Sequence, residues 1–204
     1  QVFFNRRSYI NYSKVVLNFG SETKIDKQFT EQVRNGIAFP IKPFYKAYQI
    51  IESEDSNNQI KALPFVIVGS GLAAIEMAFA LRTRWAFRSI ILVCDQKKIN
   101  NKILERLKEV KVKLNEKIDF SHGKVLLCTG NKPPSWIENN SLKLDNRGRI
   151  NTNLELQVRE FSDVFAFGDC AVLPKRERPA SGIYAVKVAE TLAINIKKDF
   201  EGKK

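Results

Sequence analysis

The sequence predicts an α/β fold in which helices cover both faces of a mainly parallel sheet. Three successive segments carry this prediction: an apolar run at residues 65–68, small and apolar residues at 72–81, and a second apolar run at 90–93. Both apolar runs are rich in β-branched residues, which is typical of strands buried on both faces. A strand, a helix and a second strand in this order form a βαβ unit, and no proline interrupts residues 65–132.

A glycine turn separates the first strand from the helix. Gly69, Gly71 and Ala74 match the pattern GxGxxA, with Ser70 between the two glycines. Glycines let a phosphate approach the backbone, and the N-terminus of a helix carries partial positive charge. The pattern therefore predicts the pyrophosphate of a dinucleotide as the ligand. The alternative is an ordinary strand-to-helix turn in which the glycines only shape the chain.

The helix after this turn is predicted from its spacing. Leu72, Ile75 and Phe79 fall on one side of a helix, which supports a helix after the turn. Glu76 lies on the first turns of the same helix, where an acidic residue usually answers the helix dipole or faces solvent.

An acidic residue also follows the second strand. Asp95 comes 21 residues after Ala74, the separation at which an acid usually accepts hydrogen bonds from the adenosine ribose. The strand itself is expected to end at Cys94. Lys97 and Lys98 follow and could meet a 2′-phosphate, so the choice between NADH and NADPH stays open, with NADH favoured.

The composition limits the classes of function. The chain has 204 residues, is 44% hydrophobic and carries a formal net charge of +12. It contains no apolar run long enough to cross a membrane. The basic residues are dispersed along the chain, which favours a basic solvated surface over a nucleic-acid partner. Short basic clusters could still attract an anionic cofactor or lipid headgroups.

The cysteines and the single histidine argue against disulfide and metal chemistry. Cys94, Cys128 and Cys170 are odd in number and far apart, which is typical of buried thiols in a cytoplasmic protein. His122 is expected in a surface turn, and one histidine gives little support to a zinc site or a histidine-based triad. We therefore expect no metal and a cytoplasmic location.

Two further apolar strands share one pattern. Residues 14–20 and 124–130 each run from a lysine through apolar residues to a glycine, as expected of two related nucleotide-binding units. The chain begins with Gln1, and its single methionine is Met77. We therefore expect it to be a piece of a longer protein.

The C-terminal third contains another glycine after an apolar strand. Residues 161–167 are predicted as a strand that leads into Gly168 and Asp169, where the carboxylate could accept hydrogen bonds from ligand hydroxyls. The alternative is that Asp169 caps a following helix or turn. A hairpin at 144–150 and a short strand at 151–156 are expected before this strand, and a helix at 182–196 after it.

Three motifs in this order resemble the flavoprotein reductases that bind FAD and a nicotinamide cofactor on paired Rossmann-like domains. VIVGSGLAAIE is similar to their NAD(P)H fingerprint, LLCTGNKPP to their return strand and VFAFGDCA to their second FAD motif. With the end segment RPASGIYAVKVAETLAINI, the chain most resembles type II NADH dehydrogenase-like oxidoreductases, found alone or fused to selenide, water dikinase. The resemblance spans about residues 12–197.

The resemblance implies a Rossmann-like three-layer FAD/NAD(P)-binding fold in which a nicotinamide domain is inserted in a partial FAD domain. The domains would be a partial FAD-domain segment at 1–43, an NAD(P)H-binding domain at 44–132 and a second FAD-domain segment at 133–204. The residues implied to hold the nicotinamide cofactor are Gly69, Ser70, Gly71, Ala74, Glu76, Thr129 and Gly130, beside Asp95. Gly168 and Asp169 would hold the ribityl and pyrophosphate region of FAD.

The implied reaction is hydride transfer from NAD(P)H to FAD and then to a quinone or another acceptor, with no catalytic side chain assigned. The resemblance also allows a peripheral membrane contact and a homodimer, and we expect the piece alone to be inactive. The alternative is a non-catalytic nucleotide-binding or regulatory module associated with a selenophosphate-forming kinase.

The sequence departs from the family pattern at three places. The first FAD glycine fingerprint would precede Gln1, and the meander between Ile99 and Lys124 is short. Cys128 stands where the family usually has alanine. The short meander favours the non-catalytic module, whereas the Gly168-Asp169 motif favours the oxidoreductase.

Overall fold

The computed structural model describes residues 2–4, 8–55, 63–115, 117–118, 120, 123–139, 141–173 and 182–202. The chain forms two compact units. The central unit comprises Glu22–Asn131, and the terminal unit comprises Gln1–Ser21 with Lys132–Lys204. His122 and the RPAS part of the end segment lie outside the described residues.

The strands are β1 Val2–Phe4, β2 Ser8–Ile10, β3 Val15–Leu17, β4 Glu22–Thr23, β5 Ala38–Pro40, β6 Phe65–Val68, β7 Ile90–Val93, β8 Val112–Asn115, β9 Val125–Leu127, β10 Asn131–Lys132, β11 Ile150–Asn151, β12 Gln157–Val158, β13 Phe161–Ala166 and β14 Ala171–Val172. The α-helices are α1 Thr30–Arg34, α2 Phe44–Asp55, α3 Leu72–Arg84, α4 Asn101–Glu109 and α5 Gly182–Phe200.

The central unit is built on a parallel sheet with the strand order β5-β9-β6-β7-β8. The strands β6 and β7 pair in register from Phe65↔Ile90 to Val68↔Val93. On its other side β6 pairs with β9, where Val66 faces Val125. The predicted βαβ unit and the α/β fold class are therefore confirmed.

The two faces of this sheet are covered by separate apolar cores, because successive strand residues point to opposite faces. On one face Phe65, Ile67 and Leu92 pack with residues of α2, α3 and α4. On the other face Val66 and Ile91 pack with a second cluster that contains Phe29. Burial on both faces explains why these strands are continuous apolar runs rather than alternating ones.

The buried side of α3 does not include the whole apolar face seen in the sequence. Ala74, Ile75, Ala78 and Leu81 are its buried residues, whereas Leu72 is 69% exposed. Leu72 therefore shares the helical face of Ile75 without sharing its burial. Leu72 is the first residue of the helix, and helical periodicity fixes a side chain's direction but not whether a neighbouring strand lies opposite it.

A buried ion pair ties α2 to the start of β6 and the end of α3. Arg88 donates a hydrogen bond to Glu54 at 2.8 Å, and both side chains are 2% exposed. The Arg88 guanidinium also lies 4.7 Å from the centre of the Trp85 ring and 5.3 Å from that of Phe65. These contacts offset part of the cost of burying the Arg88 charge, because they pair it with a carboxylate and stack it on aromatic faces.

The terminal unit contains shorter strands. Its β13 pairs in parallel with β3 and antiparallel with β12, and β11 pairs in parallel with β14. The predicted strand at 151–156 is wrong: β11 ends at Asn151, and Leu156 has a φ of 71°, which no strand residue adopts. The predicted closing helix is confirmed, and α5 continues to Phe200.

Residues 22–43 lie in the central unit, where β5 pairs with β9 from Ala38↔Val125 to Pro40↔Leu127. The sequence grouped these residues with the N-terminal FAD-domain segment. The assignment of cofactors to domains stays a prediction, and the structure supplies the two units on which it can be tested.

Candidate cofactor site

The candidate site lies at the carboxyl ends of the central strands. The chain passes from β6 through α3 to β7 and through α4 to β8 on one side, and β9 with β5 lies on the other side of β6. The strand order therefore changes direction between β6 and β9. In open parallel sheets, ligands bind in the crevice outside the strands at such a switch point.

Gly69 follows β6 directly, and its conformation requires glycine. Its φ is +147°, and a Cβ there would lie 2.4 Å from the backbone oxygen of Cys128. Its own N–H donates to the carbonyl of Val93 at 3.0 Å. Gly69 therefore lets the turn pass against β9, and its backbone conformation and packing together explain why it is glycine.

Gly71 has a different environment. Its φ is −90° and its ψ is 173°, which any residue adopts, and a Cβ there would meet no atom within 4 Å. Neither conformation nor packing within the described structure requires glycine here. The open space beside Gly71 fits a ligand that must come close to the backbone.

Ala74 packs the start of α3 onto the turn. It is fully buried, and its Cβ lies 3.2 Å from where a Cβ of Gly69 would stand. Its N–H donates to the carbonyl of Gly71 at 3.1 Å. A larger side chain would push the helix away from β6, so the small residue in the third position of the fingerprint fits its packing role.

The N-terminus of α3 faces outward from the same turn. Gly71 is the N-cap and supplies no capping side chain, and Leu72 is exposed. The first N–H groups of a helix lack partners within it and attract anions. Glu76 is exposed on α3.

Ser70 links the glycine turn to the segment after β7. Its Oγ accepts a hydrogen bond from the N–H of Asp95 at 2.9 Å. Asp95 lies two residues beyond β7, which ends at Val93 and not at Cys94. The turn and the predicted ribose-binding acid are thus in direct contact.

Thr129 and Gly130 follow β9 and contact Lys24. The Thr129 hydroxyl donates to the carbonyl of Lys24, and the N–H of Lys24 donates to the carbonyl of Gly130 at 2.9 Å. The Thr129 side chain is therefore engaged in holding the residue 22–24 segment against the end of β9. Gly130 has a φ of +103° and open space at its Cβ position.

Cys128 lies between the sheet and these residues. Its N–H donates to the carbonyl of Val68 at 2.8 Å, which continues the ladder between β9 and β6. Burial raises the pKa of its thiol to about 12. The thiol is therefore neutral at physiological pH and packs as a small apolar side chain.

In the terminal unit, Gly168 and Asp169 follow β13. Gly168 has a φ of +76°, and a Cβ there would lie 2.8 Å from Oδ1 of Asn18 and 3.5 Å from the Cβ of Ala185. The carboxylate of Asp169 accepts a hydrogen bond from the Ser21 hydroxyl at 2.9 Å. Asp169 lies inside a short 3₁₀ turn, Gly168–Cys170, whose N-cap is Phe167.

Sequence reasoning missed the residues that support both sites. Asn18 and Ser21 flank the Phe19-Gly20 pair that follows β3, and Thr23 accepts a hydrogen bond from the N–H of Lys42 at 2.9 Å. Thr23 is 2% exposed. Their partners are distant in sequence, and a strand ending in glycine was the signal that could have drawn attention to them.

Within the described residues, no group of three or more histidine, cysteine, aspartate or glutamate residues could hold a metal ion. Nor does any helix described here combine the length and apolarity needed to cross a membrane.

Among known protein families, the one described as pyridine nucleotide-disulphide oxidoreductase matches residues 95–190 of the chain. This range begins at Asp95 and includes β9, Thr129, Gly130 and the Gly168-Asp169 turn.

Individual curated proteins also match the chain in sequence. The chain is 26% identical to ferroptosis suppressor protein 1 of Homo sapiens over 155 residues, which is 58% of this chain and 42% of that protein. The Taeniopygia guttata protein of the same name is 23% identical over 96% of this chain and 59% of its own length. A probable NADH dehydrogenase of Dictyostelium discoideum is 30% identical over 39% of this chain and 17% of its own length. The chain thus spans about two to three fifths of the length of the suppressor proteins it matches.

Solved structures show the same fold. The water-forming NADH oxidase from Lactobacillus brevis, bound to NADH, matches with a TM-score of 0.68 at 17% identity over 91% of this chain and 46% of that chain. An NAD-dependent persulfide reductase from A. fulgidus matches with a TM-score of 0.70 at 19% identity over 92% of this chain and 39% of that chain. The matches in sequence and in fold together confirm the predicted resemblance to the FAD- and NAD(P)-linked oxidoreductases.

Proposed function

We propose that this chain is part of an FAD-dependent NAD(P)H oxidoreductase, with the nicotinamide cofactor bound by the central unit and FAD by the terminal unit. The observation that carries the proposal is Gly71, whose Cβ position opens onto empty space beside an uncapped helix N-terminus. A pyrophosphate fits this place because it needs close backbone approach and positive partial charge.

Different residues around the turn would bind the pyrophosphate and the adenosine ribose of the cofactor. Backbone N–H groups of Ser70 and Gly71 would hold the pyrophosphate with the N-terminus of α3, Gly69 would let the turn approach it, and Ala74 keeps that helix close. Asp95 would accept hydrogen bonds from the adenosine ribose. The hydrogen bond from the N–H of Asp95 to Oγ of Ser70, at 2.9 Å, supports this assignment because it holds Asp95 beside the glycine turn.

The other predicted residues would serve the nicotinamide half. Thr129 and Gly130 lie at the end of β9, on the opposite side of the switch point from β7. Since the Thr129 hydroxyl is engaged with Lys24, backbone groups at this position would approach the cofactor. Glu76 is exposed on α3 and would lie toward the nicotinamide ribose.

FAD would be held in the terminal unit by the turn after β13. Ser21 fixes one oxygen of Asp169, and the carboxylate is placed at the carboxyl end of a parallel strand pair. The predicted role of Asp169 is to accept hydrogen bonds from ribityl hydroxyls, with Gly168 allowing the backbone to approach the pyrophosphate region. Buried Cys170 supports the turn by donating to the carbonyl of Phe167.

When bound, the cofactors would supply the chemistry, which is hydride transfer from NAD(P)H to the flavin and electron transfer to a quinone or another acceptor. The chain's own part is to bind and orient. A quinone acceptor, a peripheral membrane contact and a homodimer belong to this proposal and are supported by the family resemblance.

A spectrum and a turnover assay on the full-length protein test the proposal. We expect bound flavin absorbance and oxidation of NADH or NADPH when an acceptor is supplied. Colourless protein without turnover would contradict it and would favour the non-catalytic module associated with a selenophosphate-forming kinase.

The role of Gly71 is tested separately by Gly71→Val. The backbone at Gly71 accepts a β-branched residue, so the variant should fold while its side chain fills the space of the pyrophosphate. Calorimetry should show at least about a tenfold loss of NADH affinity, about 1.4 kcal/mol. Ala80→Val, at an exposed position of the same helix, is the matched control and should bind normally. Unchanged NADH affinity in Gly71→Val would show that the turn is only structural.

A further inference from the structure

Trp136 is a large aromatic residue that stays open to solvent on an anchored turn. It lies in a short 3₁₀ turn, Ser135–Asn139, and is 56% exposed. The next residue, Ile137, is 1% exposed and donates its N–H to the carbonyl of Pro134 at 3.1 Å. Ile137 packs in the same apolar cluster as Val164 of β13. The core of the terminal unit therefore anchors the turn, while Trp136 remains accessible.

Phe19 supports the ring of Trp136. The two ring centroids are 4.6 Å apart and the ring planes meet at 62°, which is an edge-to-face contact. Phe19 is itself partly buried against the cluster that contains Ile137. Trp136 therefore has a packed neighbour on one side, and more than half of its surface is left for another contact.

This aromatic pair lies at the edge of the sheet that carries the Gly168-Asp169 turn. The strands β3 and β13 pair in parallel up to their last residues, and Phe19 and Gly168 each lie two residues beyond those ends. Ser21, a little further along, donates its hydroxyl hydrogen bond to the carboxylate of Asp169 at 2.9 Å. The segment that supports Trp136 is therefore the segment that holds the turn proposed to bind FAD.

There is room for a ligand beside the pair. Gly20 follows Phe19 with a φ of +72°, and apart from its chain neighbours no described residue has an atom within 4 Å of its Cβ position. A planar ring that packs on an exposed tryptophan gains favourable aromatic contact. Little ordering entropy is lost on the protein side, because Phe19 already holds the tryptophan.

We propose that Trp136 is a binding residue for FAD and that it stacks on a planar ring of this cofactor, either the isoalloxazine or the adenine. The inference rests on the proposed FAD site of the terminal unit. It adds a side-chain contact to the backbone and carboxylate contacts proposed for Gly168 and Asp169. Both rings present a flat aromatic face, which is the chemistry that an exposed tryptophan recognises.

The dissociation constant of FAD for the full-length apoprotein is the quantity to measure, by calorimetry. Trp136→Leu should raise it about fivefold or more, because an apolar side chain remains but stacking is lost. Trp136→Phe should stay within about threefold of the wild type, because it keeps a flat ring. Both variants should melt close to the wild-type temperature, since Trp136 is more than half exposed.

Phe200→Leu is the matched control, because it removes another exposed aromatic ring of the same unit. Phe200 is 63% exposed, and Nζ of Lys14 lies 5.9 Å from its ring centroid. Lys14 immediately precedes β3, so this ring lies at the amino end of that strand and away from the Gly168-Asp169 turn. The control should bind FAD with wild-type affinity.

The fluorescence of bound flavin distinguishes the two rings, because an indole stacked on the isoalloxazine quenches its emission. Brighter bound flavin in Trp136→Leu, together with weaker binding, assigns the contact to the isoalloxazine. Weaker binding with unchanged brightness assigns it to the adenine.

Unchanged FAD affinity in Trp136→Leu, or an equal loss in Phe200→Leu, would overturn the inference and leave Trp136 as a cover for Phe19. Wild-type apoprotein that takes up no FAD would instead contradict the proposed function, on which the inference rests.

Discussion

The central and terminal units each end a parallel strand in a glycine turn, but the glycines meet different needs. Gly69 and Gly168 both have positive φ and a neighbouring atom within 3 Å of the Cβ position, so the fold requires them. Gly71 has neither property. A glycine after a strand is therefore not in itself a sign of a ligand. The space around the Cβ position distinguishes a glycine that the fold requires from a glycine that leaves room for another molecule.

The units also differ in how deeply they bury charge. The Glu54–Arg88 pair of the central unit is 2% exposed at both side chains, whereas Asp145 and Arg149 of the terminal unit are 15% and 12% exposed. Burial raises the pKa of Asp145, but hydrogen bonds from Arg149 and Arg147 outweigh it and hold the pKa below its usual value. The central pair has less access to water, and breaking it should cost more.

The largest expected effect is therefore at Glu54. Glu54→Gln leaves the guanidinium of Arg88 without a compensating charge and should lower the free energy of unfolding by about 3–5 kcal/mol. Arg149→Ala should lower it by about 1–2 kcal/mol, because water can reach the remaining carboxylate. Urea denaturation measures the free energy of unfolding of both variants. Equal losses in the two variants would contradict the conclusion that the deeper burial of the Glu54–Arg88 pair makes it costlier to break.

The second largest effect is expected at Gly69, in comparison with Gly71 of the same turn. Gly69→Ala should lower the free energy of unfolding by about 3 kcal/mol, because its Cβ would strike a backbone oxygen that cannot move alone. Gly71→Ala should change it by less than about 1 kcal/mol. If thermal and urea denaturation showed the same loss of stability for both variants, packing would not be the reason that Gly69 and Gly71 differ.

A smaller effect is expected at Gly168. Its Cβ would meet the side chain of Asn18, which can turn aside, so Gly168→Ala should cost about 1–2 kcal/mol, mainly from the left-handed backbone. Asn18→Ala in the same chain should recover part of the loss, and a double-mutant cycle measures that coupling. A purely additive result would show that the contact with Asn18 plays no part.

The smallest effect concerns the thiol of Cys128. Its pKa rises from 9.0 unfolded to about 12 folded, so the folded state keeps a proton that the unfolded state loses above pH 9. Between pH 8 and pH 10 this difference should lower the free energy of unfolding by about 1.4 kcal/mol. Cys128→Ala should show a shallower loss between pH 8 and pH 10 in urea denaturation. An identical pH profile in the variant would contradict the burial of this thiol.

The elements that could be predicted from sequence are those with local signals. The β6-turn-α3-β7 order follows from apolar runs, glycines and helical spacing, and all three elements lie where they were expected. The strand predicted at 151–156 was wrong, because a strand forms only where a partner strand lies beside it. Leu156 adopts a turn conformation inside the core, which apolar character alone does not reveal.

The candidate site also combines features that are local in the sequence with features that depend on distant segments. The sequence by itself determined the residues of the glycine turn, the acid after β7 and the Gly168-Asp169 turn, because backbone conformation and strand pattern are local properties. Only the tertiary structure decided that Gly69 is held by packing while Gly71 borders open space, that Ser70 contacts Asp95, and that Ser21 holds Asp169 across 148 residues of chain. Those contacts join segments distant in sequence, and the pairing of parallel strands brings them together.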